Sequence, residues 1–218
     1  MRPDLIIFDN DGVLVDSEIL SAAIEAEVLT SLGRPTTTDE AMRLFLGMTH
    51  GDMERYIRDV MGITLPPDHL ASNHRLLAEA YKTRLHAIPG VAELMDRLTI
   101  PFCVASNSPP AKLGLGLTVT NLFERLYPNI FCAKLVARGK PAPDLFLYAA
   151  ERMGADPSRT VVIEDSVAGI TGARAAGMTV IGFIGGSHHS PASADVLRAA
   201  GAAHIAETMD DVGRLIGA

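Results

Sequence analysis

The sequence predicts an α/β fold: a parallel sheet with helices between its strands, interrupted once by a helical insertion. Three observations predict it. Short, continuous apolar runs recur, and each stops at a polar or glycine-rich loop. Helical patterns lie between those runs, while residues from about 16 to 87 read as helix alone. An apolar run of this length suits a strand buried on both faces, as parallel strands are. Alternating strand and helix builds βαβ units and hence a parallel sheet.

The first run is Leu5-Ile6-Ile7-Phe8, which Asp9-Asn10-Asp11-Gly12 stops at once. The insertion follows. Ile19, Ala22, Ala23, Ala26, Leu29 and Leu32 keep helical spacing and end at Gly33. Thr37-Thr38-Asp39-Glu40 offers a capping box ahead of Met42, Leu44 and Phe45. Leu70 to Leu85 is a further amphipathic stretch behind Pro66-Pro67. The alternation then resumes. Val91, Leu94, Met95 and Leu98 are helical, and Pro101-Phe102-Cys103-Val104-Ala105 is a strand ending in Ser106-Asn107-Ser108. Leu145, Leu147, Tyr148 and Met153 form a helix opened by Pro141-Ala142-Pro143-Asp144. Val161-Val162-Ile163 is a strand ending in Glu164-Asp165-Ser166, followed by a small-residue helix from Val167 to Ala176 with Gly177 at its cap. Met178 to Phe183 ends in a Gly-rich loop, and His204-Ile205-Ala206 is the weakest strand. The expected division is an α/β core of residues 1–15 and 88–218 around a small helical cap domain of residues 16–87.

Composition narrows the function classes. The 218 residues are 48% hydrophobic, enough to bury a sizeable core. Acidic residues outnumber basic ones by 26 to 19, giving a net charge of -7. With no Lys/Arg run, that balance argues against a nucleic-acid or membrane-surface partner. Two cysteines cannot make a disulfide framework, and Cys103 sits inside an apolar run as packed strand filler. Nothing resembles a signal peptide or the run of about eighteen apolar residues of a membrane span. A cytoplasmic protein is the expectation, with monomer and weak dimer both open.

Chemistry collects at the strand ends, which is where ligands bind in open α/β sheets. Asp9 and Asp11 stand two apart just past a buried strand, so they call for a cation or a shared proton. A hard all-oxygen site of that kind suits Mg²⁺. Ser106, Lys140 and the Glu164-Asp165 pair each have an ordinary structural reading as a helix cap or a solvated turn residue. Together they make a site for phosphate and a divalent metal.

These motifs, in this order, resemble those of the haloacid dehalogenase superfamily. Phe8-Asp9-Asn10-Asp11-Gly12-Val13-Leu14-Val15-Asp16-Ser17-Glu18 resembles its first motif, and Val104-Ala105-Ser106-Asn107 its second. Gly139-Lys140-Pro141 resembles its third, and Ile163-Glu164-Asp165-Ser166 its fourth. A helical insert directly after the first motif resembles the cap-bearing phosphatase subfamily, the group that includes 6-phosphogluconate phosphatase and β-phosphoglucomutase. The resemblance implies a Rossmann-like three-layer core and a phosphoric monoester hydrolase. It implies that Asp9 attacks phosphorus, and that Asp11 protonates the leaving alcohol and then deprotonates water. Ser106, Asn107 and Lys140 would bind the phosphoryl group. Asp9, the Asp11 backbone carbonyl, Asp165 and Glu164 would hold Mg²⁺, Glu164 directly or through water. A normal Asp carboxyl is a poor proton donor at neutral pH, so Asp11 is expected in surroundings that favour its protonated form.

Within the family, Asp11 favours phosphoryl chemistry over dehalogenation. The mutase pattern places a His shortly after the first motif and an Arg in the cap loop; here Ser21 and His50 stand at those positions. Both departures favour hydrolysis over a β-phosphoglucomutase-like mutase. A member that only binds phosphometabolites is the alternative of a different class. The expected substrate is a small phosphorylated metabolite, a sugar phosphate or sugar-acid phosphate. Thr49 and His50 are the leading cap candidates for contacting it, with Ser21, Arg43 and Lys82 behind them. His188-His189 read as a polar loop near the site mouth, since a paired histidine needs a third ligand to hold a metal.

Overall fold

A computed structural model describes residues 3–46, 48 and 50–218, with the His50 side chain outside the description. Six strands make one sheet: β1 (Leu5–Phe8), β2 (Phe102–Ser106), β3 (Ile130–Cys132), β4 (Thr160–Glu164), β5 (Thr179–Phe183) and β6 (His204–Ala206). Their spatial order is β3-β2-β1-β4-β5-β6, and every neighbouring pair is parallel. The helices are α1 (Glu18–Ser31), α2 (Thr38–Phe45), α3 (His50–Asp59), α4 (His69–Arg84), α5 (Val91–Arg97), α6 (Pro110–Val119), α7 (Phe123–Leu126), α8 (Asp144–Met153), α9 (Val167–Ala175), α10 (Ser193–Ala200) and α11 (Met209–Ile216).

The sheet forms because its strands are apolar on both faces. Leu5 and Ile7 point to one side and join Cys103, Ala105, Val162 and Val180 in a core closed by Leu145, Phe146 and Ala149 of α8 and by Ile170 and Ala173 of α9. Ile6 and Phe8 point to the other side and are equally buried. Each such side chain removed from water contributes about 1.5–3 kcal/mol of transfer free energy. Cys103 lies in this core, and burial pushes its thiol pKa up, which fits strand filler and not a nucleophile.

The chain divides into two compact units: Met1–Asp16 with His86–Ala218, and Ser17–Leu85. The first contains the whole sheet. The second holds α1 to α4, with α1 packed on both α2 and α4. Thr37 caps α2 by accepting from Glu40 N–H at 3.1 Å, while the Glu40 carboxylate pairs with Arg34. Gly33 ends α1 in the left-handed region at φ +90°, where glycine carries no Cβ penalty.

Candidate active site

Sheet order decides the site. β1 lies between β2 and β4, and Phe8 pairs with both Val104 and Ile163. Asp9 therefore stands abreast of Ala105 and Glu164, and the loops leaving these three carboxyl ends adjoin. The chain runs outward from β1 through β2 to β3, then returns to β4 and runs outward the other way. Such a reversal opens a crevice at the strand ends, the usual ligand position in an open α/β sheet.

Lys140 is the hub. Its side chain is only 4% exposed, and Nζ lies 2.6 Å from Asp9 Oδ1 and 2.6 Å from Glu164 Oε1. The Phe146 ring stands 5.0 Å from the ammonium and adds cation–π attraction. Burial works against the charge on Lys140, but the Asp9 and Glu164 carboxylates outweigh it and hold its pKa above the ordinary value. Asn107 fixes the lysine's backbone: its Oδ1 accepts from Lys140 N–H at 2.9 Å, and its Nδ2 donates to Lys140 C=O at 3.0 Å. Asn107, expected on the phosphoryl group, has its amide on the Lys140 main chain.

Glu164 has both oxygens engaged inside the protein. Oε1 meets Lys140, and Oε2 accepts from Asp165 N–H, Ser166 N–H and the Ser166 hydroxyl at 2.9–3.0 Å. Gly169 makes room for it, since a Cβ there would sit 1.7 Å from Glu164 Oε1. The expected metal ligand Glu164 is thus bound first of all to Lys140. Ser166, and neither Glu164 nor Asp165, caps α9 by accepting from Gly169 N–H.

Asp9 is buried, and burial is the largest cause pushing its pKa well above the ordinary carboxylate range. Glu164, Asp165 and Asp11 add to the rise, and Lys140 opposes it. Carboxylate oxygens of Asp9, Glu164 and Asp165 lie within 4.8 Å of one another. The Lys140 ammonium is shared by Asp9 and Glu164 and compensates only part of this negative charge. The crowding and the all-oxygen donors fit a hard divalent cation. Burial also acts against the charge of Asp165, but the imidazoles of His188 and His189 beside it outweigh that and hold it below the ordinary range.

Asp11 faces different partners. The Ser108 hydroxyl donates to Oδ2 at 2.6 Å, and Lys112 Nζ lies 2.9 Å from Oδ1. Ser106 is 1% exposed, and its Oγ accepts from Ser108 N–H at 3.0 Å. It does not cap α6, whose cap position is Pro109. Asp144 opens α8 and pairs with Arg138 at 2.8 Å.

The structure therefore brings Asp9, Asp11, Ser106, Asn107, Lys140, Glu164 and Asp165 to one end of one sheet. Thr49 lies outside the described residues, as does the His50 side chain. Sequence reasoning missed Ser108 and Lys112. Ser108 is one residue past the second motif, and Lys112 lies in the first turn of the helix that follows. The Gly185–His189 loop is drawn in through Ser187 N–H, which donates to Asp16 Oδ1 at 3.1 Å. Gly12, at φ +78°, lets Asp165 approach, because a Cβ there would stand 1.9 Å from Asp165 Oδ2.

Known proteins resemble this chain in sequence and fold. A family model described as haloacid dehalogenase-like hydrolase matches residues 3–177. The chain belongs to that family. It is 28% identical over 191 residues to 6-phosphogluconate phosphatase of Escherichia coli K12, covering 87% of this chain and 86% of that protein. A conserved haloacid dehalogenase-like protein of unknown function from Agrobacterium tumefaciens superposes with a TM-score of 0.90 at 44% identity, over 98% of this chain and 97% of that one. A haloacid dehalogenase family hydrolase from Deinococcus radiodurans, solved with bound phosphate and sodium, gives 0.86 at 35% identity over 99% and 96%. As a member of the haloacid dehalogenase-like family with phosphatase relatives, the chain is a phosphoric monoester hydrolase. Among the described residues, no helix is long and apolar enough to cross a membrane.

Proposed function

We propose that the chain hydrolyses a small phosphorylated metabolite, a sugar phosphate or sugar-acid phosphate, through an aspartyl phosphate on Asp9, with Mg²⁺ as cofactor. One observation carries the reading: Asp9 and Asp11, two residues apart, face separate cations, Lys140 at 2.6 Å and Lys112 at 2.9 Å. Two carboxylates held apart in this way can take two roles. The 6-phosphogluconate phosphatase likeness and the phosphate bound in the Deinococcus relative support the substrate class.

In this reading an Asp9 oxygen attacks phosphorus, and the bond from phosphorus to the ester oxygen breaks. The leaving alcohol takes its proton from Asp11. Water then attacks the aspartyl phosphate, Asp11 accepts the water's proton, and the bond to Asp9 breaks to free inorganic phosphate and the carboxylate. Lys140 and Ser106 orient the phosphoryl oxygens, while Ser108 and Lys112 hold Asp11 where the proton passes. Mg²⁺, when bound by Asp9 and Asp165, offsets the like-charge repulsion between carboxylate and phosphate. Glu164 keeps Lys140 in place. The Ser21 hydroxyl turns back onto Ser17 C=O of its own helix at 3.2 Å, which supports hydrolysis over a mutase.

The test is phosphate release from a panel of sugar and sugar-acid phosphates. Release should need Mg²⁺, stop with EDTA, and fall to background in Asp9→Asn. Turnover surviving in Asp9→Asn would refute the nucleophile. Rapid conversion of β-glucose 1-phosphate to glucose 6-phosphate, primed with the bisphosphate, would favour the mutase instead.

A further inference from the structure

We propose that Asp165, His188 and His189 form a second cation site, which shares Asp165 with the carboxylate trio and is suited to a transition metal of the zinc class. Sequence alone shows two adjacent histidines with no third ligand. The fold supplies one, by bringing the Gly185–His189 loop against the end of β4.

Three features of the cluster carry the assignment. The ligand atoms of the three side chains lie within 4.8 Å of one another. His188 Nε2 is 3.2 Å from Asp165 Oδ2, and His189 Nε2 is 3.8 Å from the same oxygen. Two ligands bound tetrahedrally to Zn²⁺ stand about 3.4 Å apart, given metal–ligand bonds of about 2.0–2.2 Å. The observed separations bracket that value. The side chains are 3% to 7% exposed, so the ligands are already withdrawn from bulk water.

The state of His189 is the second, independent observation. Its Nε2 is buried and makes no hydrogen bond, and at 3.8 Å it stands beyond hydrogen-bond reach of Asp165. A buried ring nitrogen without a partner is costly unless something binds it. A cation between His189 and Asp165 satisfies both. The packing also reserves this space. A Cβ on Gly12 would lie 2.8 Å from His188 Cε1, and one on Gly186 would lie 2.9 Å from the same ring.

Donor type sets the metal. Two imidazole nitrogens and one carboxylate suit Zn²⁺, Co²⁺ or Ni²⁺ and discriminate against Mg²⁺, which takes oxygen. Asp165 belongs to both ligand groups. If the phosphatase reading holds, occupation of the histidine site draws Asp165 away from Mg²⁺, and Zn²⁺ inhibits in competition with Mg²⁺.

Binding is tested on the full chain after chelator treatment, without any activity measurement. Co²⁺ should shift the ring-proton resonances of two histidines far outside the diamagnetic range. Zn²⁺, followed by competition with a chromophoric chelator, should bind at one equivalent. His189→Gln is the chosen variant, because its ring nitrogen holds no hydrogen bond that folding depends on. Removing a partner of a metal ligand typically weakens affinity about 10–100-fold, so losing a ligand should weaken Zn²⁺ by at least about tenfold. Mg²⁺ affinity by calorimetry should stay as in the wild type. Unshifted histidine resonances in the wild-type protein, or equal Zn²⁺ affinity in His189→Gln, would overturn the site. Absence of phosphatase activity in the zinc-free protein supplied with Mg²⁺, with Zn²⁺ binding intact, would leave the site standing and refute only the proposed function.

Discussion

Glu25 offers a test of the helical unit in which both sign and size follow from position. Its carboxyl, on α1, is buried and accepts from Asn73 Nδ2 of α4 at 2.7 Å. His69 of α4 stands 3.7 Å away, and Glu54 of α3 faces both. Burial pushes Glu25 from 4.5 up to about 7; the Asn73 hydrogen bond opposes the rise and Glu54 adds to it. A folded-state pKa above the unfolded one means that folding takes up a proton. The contribution of Glu25 is therefore fully present below pH 4.5 and is lost as pH rises through about 7. At about 1.36 kcal/mol per pKa unit, the loss amounts to about 3 kcal/mol. Glu25→Gln keeps an acceptor for Asn73 and cannot ionise. Urea denaturation of both proteins by far-UV circular dichroism, from pH 4 to pH 8, reads the difference. The variant should match the wild type near pH 4 and exceed it by about 3 kcal/mol at pH 8. His69, which burial holds below its ordinary value, contributes in the opposite sense, losing stability as pH falls through its folded pKa. It is common to both proteins, so to first order it cancels in the difference. A difference that stays flat with pH would refute the reasoning.

Two further predictions concern the sheet's carboxyl edge. Gly169→Ala places a Cβ 1.7 Å from Glu164 Oε1, so Glu164 must leave Lys140, and kcat should fall about 100-fold, as for a misplacement of about 1 Å, with helical content by circular dichroism unchanged. Ser108→Ala removes the 2.6 Å hydrogen bond to Asp11 and should lower kcat about tenfold or more, by the worth of a bond to a charged group, with KM little changed and the kcat–pH profile displaced.

What the sequence disclosed follows from where each residue stands. Asp9, Ser106 and Glu164 each directly follow or end a buried apolar strand, so a change from apolar to polar marked them. Lys140 has no such marker, since it stands in a Pro-rich turn and not at a strand end, and its tie to Asp9 spans the fold. Ser108 and Lys112 were missed because their contact with Asp11 depends on how α6 leaves β2. β3 was missed because three residues, Ile130-Phe131-Cys132, are too short to show a pattern. α6 carries Gly114 and Gly116, which weaken its helical signal. The loop of His188 and His189 was seen, but its third ligand belongs to the end of another strand.

The strand that carries Asp9 is the earliest of the six along the chain, yet it occupies the middle of the sheet. Its neighbours are β2 and β4, and β4 does not begin until Thr160. On the ribosome, β1 therefore waits with one lateral edge unclaimed until most of the polypeptide has been made. Pairings between such distant segments are slow to form, because loop-closure entropy is met before any contact compensates for it. Asp9 therefore meets Glu164 and Asp165 late, and a nascent chain that stops before β4 carries Asp9, Asp11, Ser106 and Lys140 without either of those two carboxylates.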